Sequence, residues 1–93
     1  MISALWTRLG ERDRERPQGS YTTRLLEGGV DRIGKKVGEE ATEVVIAAKN
    51  AVAGEGCEEL ANESADLLYH LLVLWRSVGL SPREVLDALA RRG

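Results

Sequence analysis

Apolar residues recur along this chain at steps of three and four, the spacing of helices with one buried face rather than of strands. In Met1 to Arg16, Ile2, Leu5, Trp6 and Leu9 share a face, and the charged run Glu11 to Arg16 follows as a solvated helix end. Pro17, Gly19 and Ser20 break the pattern. Ser20 is placed to cap a short helix, Tyr21 to Leu26, that stops at Gly28-Gly29. A third helix is predicted from about Val30 to Val52, with Val30, Ile33, Val37, Ala41, Val44, Ala48 and Ala51 as its stripe. Gly34 and Gly38 weaken it by roughly 1 kcal/mol each relative to Ala, and suit a close approach by another helix or a ligand. Gly54 and Gly56 supply a turn. A fourth helix, about Cys57 to Val78, carries the seam Leu60, Ser64, Leu67, Leu71, Leu74 and Val78, and Leu68, Leu72 and Trp75 widen it to most of the circumference. A helix apolar nearly all round is a buried one. In a chain this short, that implies burial against a second subunit. Gly79 ends the helix, and Ser81, Pro82 and Glu84 open a fifth. The expected fold is all-α: one domain over residues 1–93, an antiparallel bundle of about five helices completed by dimerisation.

Composition narrows this further. With 93 residues the chain is one domain, and marginal alone at that size. Phe is absent, so Leu, Val and Ala must form the core, which suits helix-on-helix packing. The net charge of -2 and the lack of a basic block argue against nucleic-acid binding. Cys57 is the single cysteine, which excludes an internal disulfide and a thiolate zinc cage. It sits near a predicted helix start, yet with no convergent His it reads as a bland structural thiol. Met1 to Leu9 lacks the basic-then-apolar pattern of a signal peptide. Leu71 to Trp75, the longest apolar stretch, is far too short to span a membrane. A cytoplasmic location is expected.

The chemistry lies on the two central helices. The third carries Glu39-Glu40-Ala41-Thr42-Glu43 and the fourth carries Glu63-Ser64-Ala65-Asp66. Residues three or four apart share a helix face, so Glu40 points with Glu43, and Glu63 with Asp66. Both pairs border their apolar stripes instead of opposing them. The short turn makes the helices antiparallel neighbours, and packing their stripes brings the carboxylates to one edge of the seam. Crowded, partly buried anions repel one another unless a cation compensates. All-oxygen donors suit a hard cation, Mg²⁺ or Mn²⁺. An EExxE string alone is commonly a solvated face, and on geometry alone that alternative stays open beside a metal site. A di-iron bundle would need two Glu-x-x-His motifs, and His70 is the only histidine. His70 falls on the Glu63-Asp66 face, as a partner of the ligands or as a structural core histidine. Lys36 lies one turn before Glu40 on the same face, with Lys35 adjacent and Lys49 near the helix end. Arg24 and Arg32 are weaker cationic candidates.

The run Gly34-Lys35-Lys36-Val37-Gly38-Glu39-Glu40-Ala41-Thr42-Glu43, followed by Glu63-Ser64-Ala65-Asp66-Leu67-Leu68-Tyr69-His70, closely resembles the phosphoribosyl-ATP pyrophosphohydrolase family of the MazG-like all-α nucleotide pyrophosphohydrolases. Ser20-Tyr21-Thr22, Leu25-Leu26 and Ala48-Lys49-Asn50 are also similar to that family. The resemblance implies Mg²⁺-dependent hydrolysis of phosphoribosyl-ATP to phosphoribosyl-AMP and pyrophosphate, the second step of histidine biosynthesis, by a homodimer or larger assembly. By motif position it makes Glu40, Glu43, Glu63 and Asp66 metal ligands. Glu39 becomes a further ligand or a water-orienting base, and Glu43 also carries catalysis. Lys36 becomes a phosphate contact, with Lys35 and Lys49 beside it. Ser20, Tyr21 and Thr22 either line the substrate cleft or merely cap the short helix. Two rivals share the sequence features: a housecleaning pyrophosphohydrolase acting on free nucleoside triphosphates, and a non-catalytic helical oligomerisation module.

Overall fold

The computed structural model describes all 93 residues and is entirely helical. Its elements are α1 (Ile2–Glu15), α2 (Tyr21–Asn50), a π-helical turn (Ala51–Glu55), α3 (Glu58–Val78) and α4 (Pro82–Arg92). The predicted punctuation is physically realised. Ser20 caps α2, its Oγ accepting from the Thr23 amide at 3.4 Å. Ser81 and Glu84 close a capping box on α4, with Pro82 in its first turn. Gly79 ends α3 in the left-handed conformation at φ 78°.

The helix count is four rather than five, because the short second helix and the long third one abut without a loop. Their junction is Gly29, whose φ of 70° and ψ of -165° are non-helical. A straight helix would hold Tyr21 and Lys36 about 22 Å apart at 1.5 Å per residue. Both instead line one cleft together with Leu25 and Arg32, so the chain reverses at Gly29 and lays Tyr21–Gly28 back along the rest of α2. That backbone region is essentially closed to residues with a Cβ. Gly28 is constrained differently: a Cβ there would lie 2.7 Å from the Arg32 Cβ. Gly34 and Gly38, by contrast, have open space around them, so no close approach within this chain explains them.

Beyond Gly29, α2 and α3 run in opposite senses: Ile33 shares the core with Leu72 and Val73, while Glu40 and Glu43 meet Glu63. The core is Leu9, Leu25, Leu26, Ile33, Leu72 and Val73, flanked by Leu5, Trp6, Val37, Tyr69, Leu74 and Trp75. This face of α3 overlaps the predicted one at Leu72, Leu74 and Trp75 but is shifted from the seam's ends. Within a single chain His70, Leu72 and Val73 are buried, whereas Val78 of the expected seam is 60% exposed. On α2, Ile33, Glu40 and Ala47 are buried while Val30 stands 52% exposed. The reason is α1 and the folded-back segment, which bury the Ile33–Val73 side and leave the more continuously apolar side open. α1 is tied to α3 by the Arg76 Nε–Asp13 Oδ2 pair at 2.9 Å, with Arg16 on the other oxygen at 2.9 Å. Burial raises the Asp13 pKa, but the hydrogen bonds and charges of Arg16 and Arg76 together outweigh it and hold the carboxyl below its usual value.

Gly29→Ala tests the reversal. No side-chain clash awaits a Cβ at that position. The expected loss is therefore backbone strain alone, about 1–3 kcal/mol in chemical denaturation.

Candidate functional site

The predicted carboxylates converge. Donor oxygens of Glu40, Glu43 and Glu63 lie within 4.8 Å of one another, at the edge of the α2–α3 contact. Glu40 is buried, Glu63 half-buried and Glu43 exposed, so the cluster is open on one side. Asp66 lies one turn beyond Glu63 on α3 and is exposed, outside the tight trio. Its charge still acts on Glu63.

The bonding within the trio is incomplete. Glu40 Oε1 is 3.7 Å from the Lys36 ammonium, but Glu40 Oε2 is buried with no hydrogen-bond partner, and so is Glu63 Oε2. Buried carboxylate oxygens are nearly always partnered, because an unpaired one loses its hydration without return. The Glu63 carboxyl compensates by keeping its proton. Its hydrogen bond to Glu43, its burial, and the charges of Glu43, Glu40 and Asp66 push its pKa up from 4.5 to about 7. Three converging carboxylates with two orphaned oxygens fit a hard divalent cation, whose ligands are oxygens and whose charge would relieve both the repulsion and the missing bonds.

Beside the cluster, along the same side of α2, is a cleft of about 270 Å³ lined by Tyr21, Leu25, Arg32, Lys35, Lys36 and Glu39. It joins three cationic side chains to the flank of the carboxylate trio, and Glu39 is the acid at their junction. Arg32, a minor candidate from sequence, belongs here on equal terms with the two lysines. Lys49 does not: it lies nine residues beyond Glu40, roughly 13 Å along the axis, and is exposed in the last turn of α2.

The folded-back start of α2 forms the adjoining wall. The Tyr21 hydroxyl is 2.7 Å from His70 Nε2, and His70 Nδ1 is 2.8 Å from the Asp66 carbonyl oxygen. A carbonyl only accepts, so Nδ1 carries the proton; in the neutral ring Nε2 is then an acceptor, and Tyr21 donates to it. Next to this pair the hydroxyls of Thr22 and Tyr69 are hydrogen-bonded. Tyr21 thus lines the cleft, whereas Thr22 is buried against α3 behind it. Sequence reasoning placed His70 near the acids but not its bond to Tyr21. The tyrosine lies 49 positions away, and no local pattern joins the two. Cys57 is exposed and makes no capping hydrogen bond at the start of α3.

The protonation of Glu63 has a measurable sign. A carboxyl whose folded pKa is raised favours the folded state below its unfolded value, and that contribution disappears as pH rises through the folded one. Without a divalent cation the protein should therefore lose stability as pH climbs from 4.5 through about 7. Melting temperatures in chelator across that window should fall for the wild type and flatten for Glu63→Gln, and added Mg²⁺ or Mn²⁺ should restore the wild type at the alkaline end. Parallel profiles for the two proteins would contradict the strained trio.

No helix is long and apolar enough to cross a membrane. The family model described as phosphoribosyl-ATP pyrophosphohydrolase matches residues 2–93. The chain is 52% identical, over its whole length and 86% of the relative's, to the phosphoribosyl-ATP pyrophosphatase of Streptococcus sanguinis. It is 50% identical to that of Pelotomaculum thermopropionicum, over 99% of the chain and 90% of the relative. It is also 59% identical to the histidine biosynthesis bifunctional protein HisIE of Halalkalibacterium halodurans, over 99% of the chain but only 42% of that longer protein. With the acidic trio, the cationic cleft and this similarity along nearly every residue, the chain belongs to the phosphoribosyl-ATP pyrophosphohydrolase family.

Proposed function

We propose that this protein hydrolyses phosphoribosyl-ATP to phosphoribosyl-AMP and pyrophosphate, a step of histidine biosynthesis carried out in the cytoplasm. The observation that carries the reading is the pair of buried, unpartnered carboxylate oxygens on Glu40 and Glu63, next to a cleft with three cationic side chains. Glu40, Glu43 and Glu63 hold a Mg²⁺ ion, for which Mn²⁺ substitutes, and Asp66 completes the ligand set from the next turn of α3. When bound, the ion supplies charge neutralisation for the phosphate chain and polarises the phosphorus under attack.

The chain's own residues do the rest. Lys36, Lys35 and Arg32 bind the polyphosphate and offset the charge that builds on the departing pyrophosphate. Glu39, exposed at the junction of cleft and trio, orients the attacking water and accepts its proton. Tyr21 closes one side of the cleft, with Thr22 anchoring the wall behind it through Tyr69. Lys49, distant within one protomer, reaches a phosphate only if the substrate extends along α2. No covalent intermediate is invoked; positioning and electrostatics carry the step. A homodimer, or a dimer of dimers, covers the apolar surface a single chain leaves open, including Val45, Ile46, Leu68, Leu86 and Leu89.

Pyrophosphate release from phosphoribosyl-ATP, with and without Mg²⁺, tests the proposal. dUTP and dCTP serve as competing substrates that would expose a general triphosphate pyrophosphohydrolase. Glu43→Gln and Asp66→Asn should each reduce turnover by about 100-fold or more, the scale of losing one electrostatic stabiliser, with helical content unchanged. Full activity of either variant at saturating Mg²⁺ would overturn its assignment.

A further inference from the structure

His70 is buried at 6% exposure, yet it touches neither the carboxylate trio through its ring nor the cleft directly. Its ring spans the gap between the two halves of the site. On one side Nδ1–H is committed to the backbone of Asp66 at 2.8 Å; on the other Nε2 receives the Tyr21 hydroxyl at 2.7 Å. The ring also packs edge-on against Tyr21, at 5.8 Å and 84°, and against Tyr69, at 5.3 Å and 85°. Its orientation is therefore fixed by three residues, Asp66, Tyr21 and Tyr69. A core histidine needs only to be satisfied. This one is satisfied by a residue that is itself 40% exposed and forms the cleft wall.

Donation to Nε2 uses the only proton of the Tyr21 hydroxyl, so the phenol oxygen has only acceptor capacity left. The neighbouring cation is Lys36, which lines the same cleft. Lys36 is held only by a loose 3.7 Å contact with Glu40.

We propose that His70 is a positioning residue of the substrate cleft: its Nε2 pins the Tyr21 hydroxyl, and Tyr21 so held fixes the wall of the cleft, beside Lys36, against which a bound polyphosphate is seated. This rests on the reading of the cleft as the phosphate site. His70 does not touch substrate. It acts through Tyr21, and the contribution is to binding that is equal in ground and transition states, so it falls on KM.

The test is a double-mutant cycle on the full chain, with steady-state pyrophosphate release from phosphoribosyl-ATP at saturating Mg²⁺. His70→Leu and Tyr21→Phe should each raise KM by about three- to tenfold, the scale of one lost hydrogen bond, with kcat within about twofold. The double variant should be no worse than either single one. His70→Gln, whose amide oxygen can accept from Tyr21, should recover most of the wild-type KM. An unchanged KM in Tyr21→Phe overturns the proposal. So does a His70→Leu effect that persists undiminished in the Tyr21→Phe background, or one that falls on kcat. Should His70→Leu fail to fold, Tyr21→Phe and His70→Gln decide alone, since an unmoved KM in the first or an equal rise in both is fatal. A wild type that releases no pyrophosphate removes the activity reading and this proposal together. An active wild type with unmoved variants removes only the role of His70.

Discussion

The site depends on one residue without a side chain. Gly29 adopts φ 70° and ψ -165°, and through that single bend the first eight residues of α2 return along the helix that follows. Without it, Tyr21 and Lys36 would stand about 22 Å apart along a rod. With it, one helix supplies two of the three clustered carboxylates, the cations and the wall of the cleft, and α3 adds Glu63 alongside. The local cost of the conformation is offset by what the return buries: Leu25 and Leu26 join Ile33 in the core, and Thr22 and Tyr21 find hydroxyl and imidazole partners on α3.

The carboxylate trio lies at the boundary of that packing, where burial and function oppose each other. A buried Glu40 with an unpartnered oxygen, and a Glu63 that keeps its proton near neutrality, are features that stability alone would remove. Their retention beside three cationic side chains is a conflict between local and global preferences of the kind found at functional sites. The opposite sign of charge on the two sides also suits a ligand that is itself an anion bound to a cation.

Much of this was legible in the sequence because it is local. Helix starts at Ser20 and Ser81, the stop at Gly79 and the pairing of Glu40 with Glu43 follow from residues within one or two turns of each other. The break at Gly28-Gly29 was legible as well, but the reversal was not, because a pair of glycines marks an interruption without giving its angle. The buried faces of α2 and α3 were legible in part: Ile33 and Val37 of one stripe and Leu72, Leu74 and Trp75 of the other pack in the core, while Val30 and Val78 stand exposed. Periodicity ranks positions by their own polarity and does not see the cover that α1 and the returning segment provide at Val73. The Tyr21–His70 bond joins partners too far apart in the chain for any pattern to connect.

The terminal helices are attached far less firmly than the central pair. α4 contains no buried residue and α1 only Leu9 and Gly10, with one ion pair anchoring α1 to α3. In a single copy these helices form the low-stability tier of the molecule, opening sub-globally while α2 and α3 stay closed. Backbone amides of α1 and α4 would then exchange with solvent deuterium well ahead of those flanking Ile33 and Leu72. Loosening at the two ends of the chain would thus leave the acidic trio undisturbed.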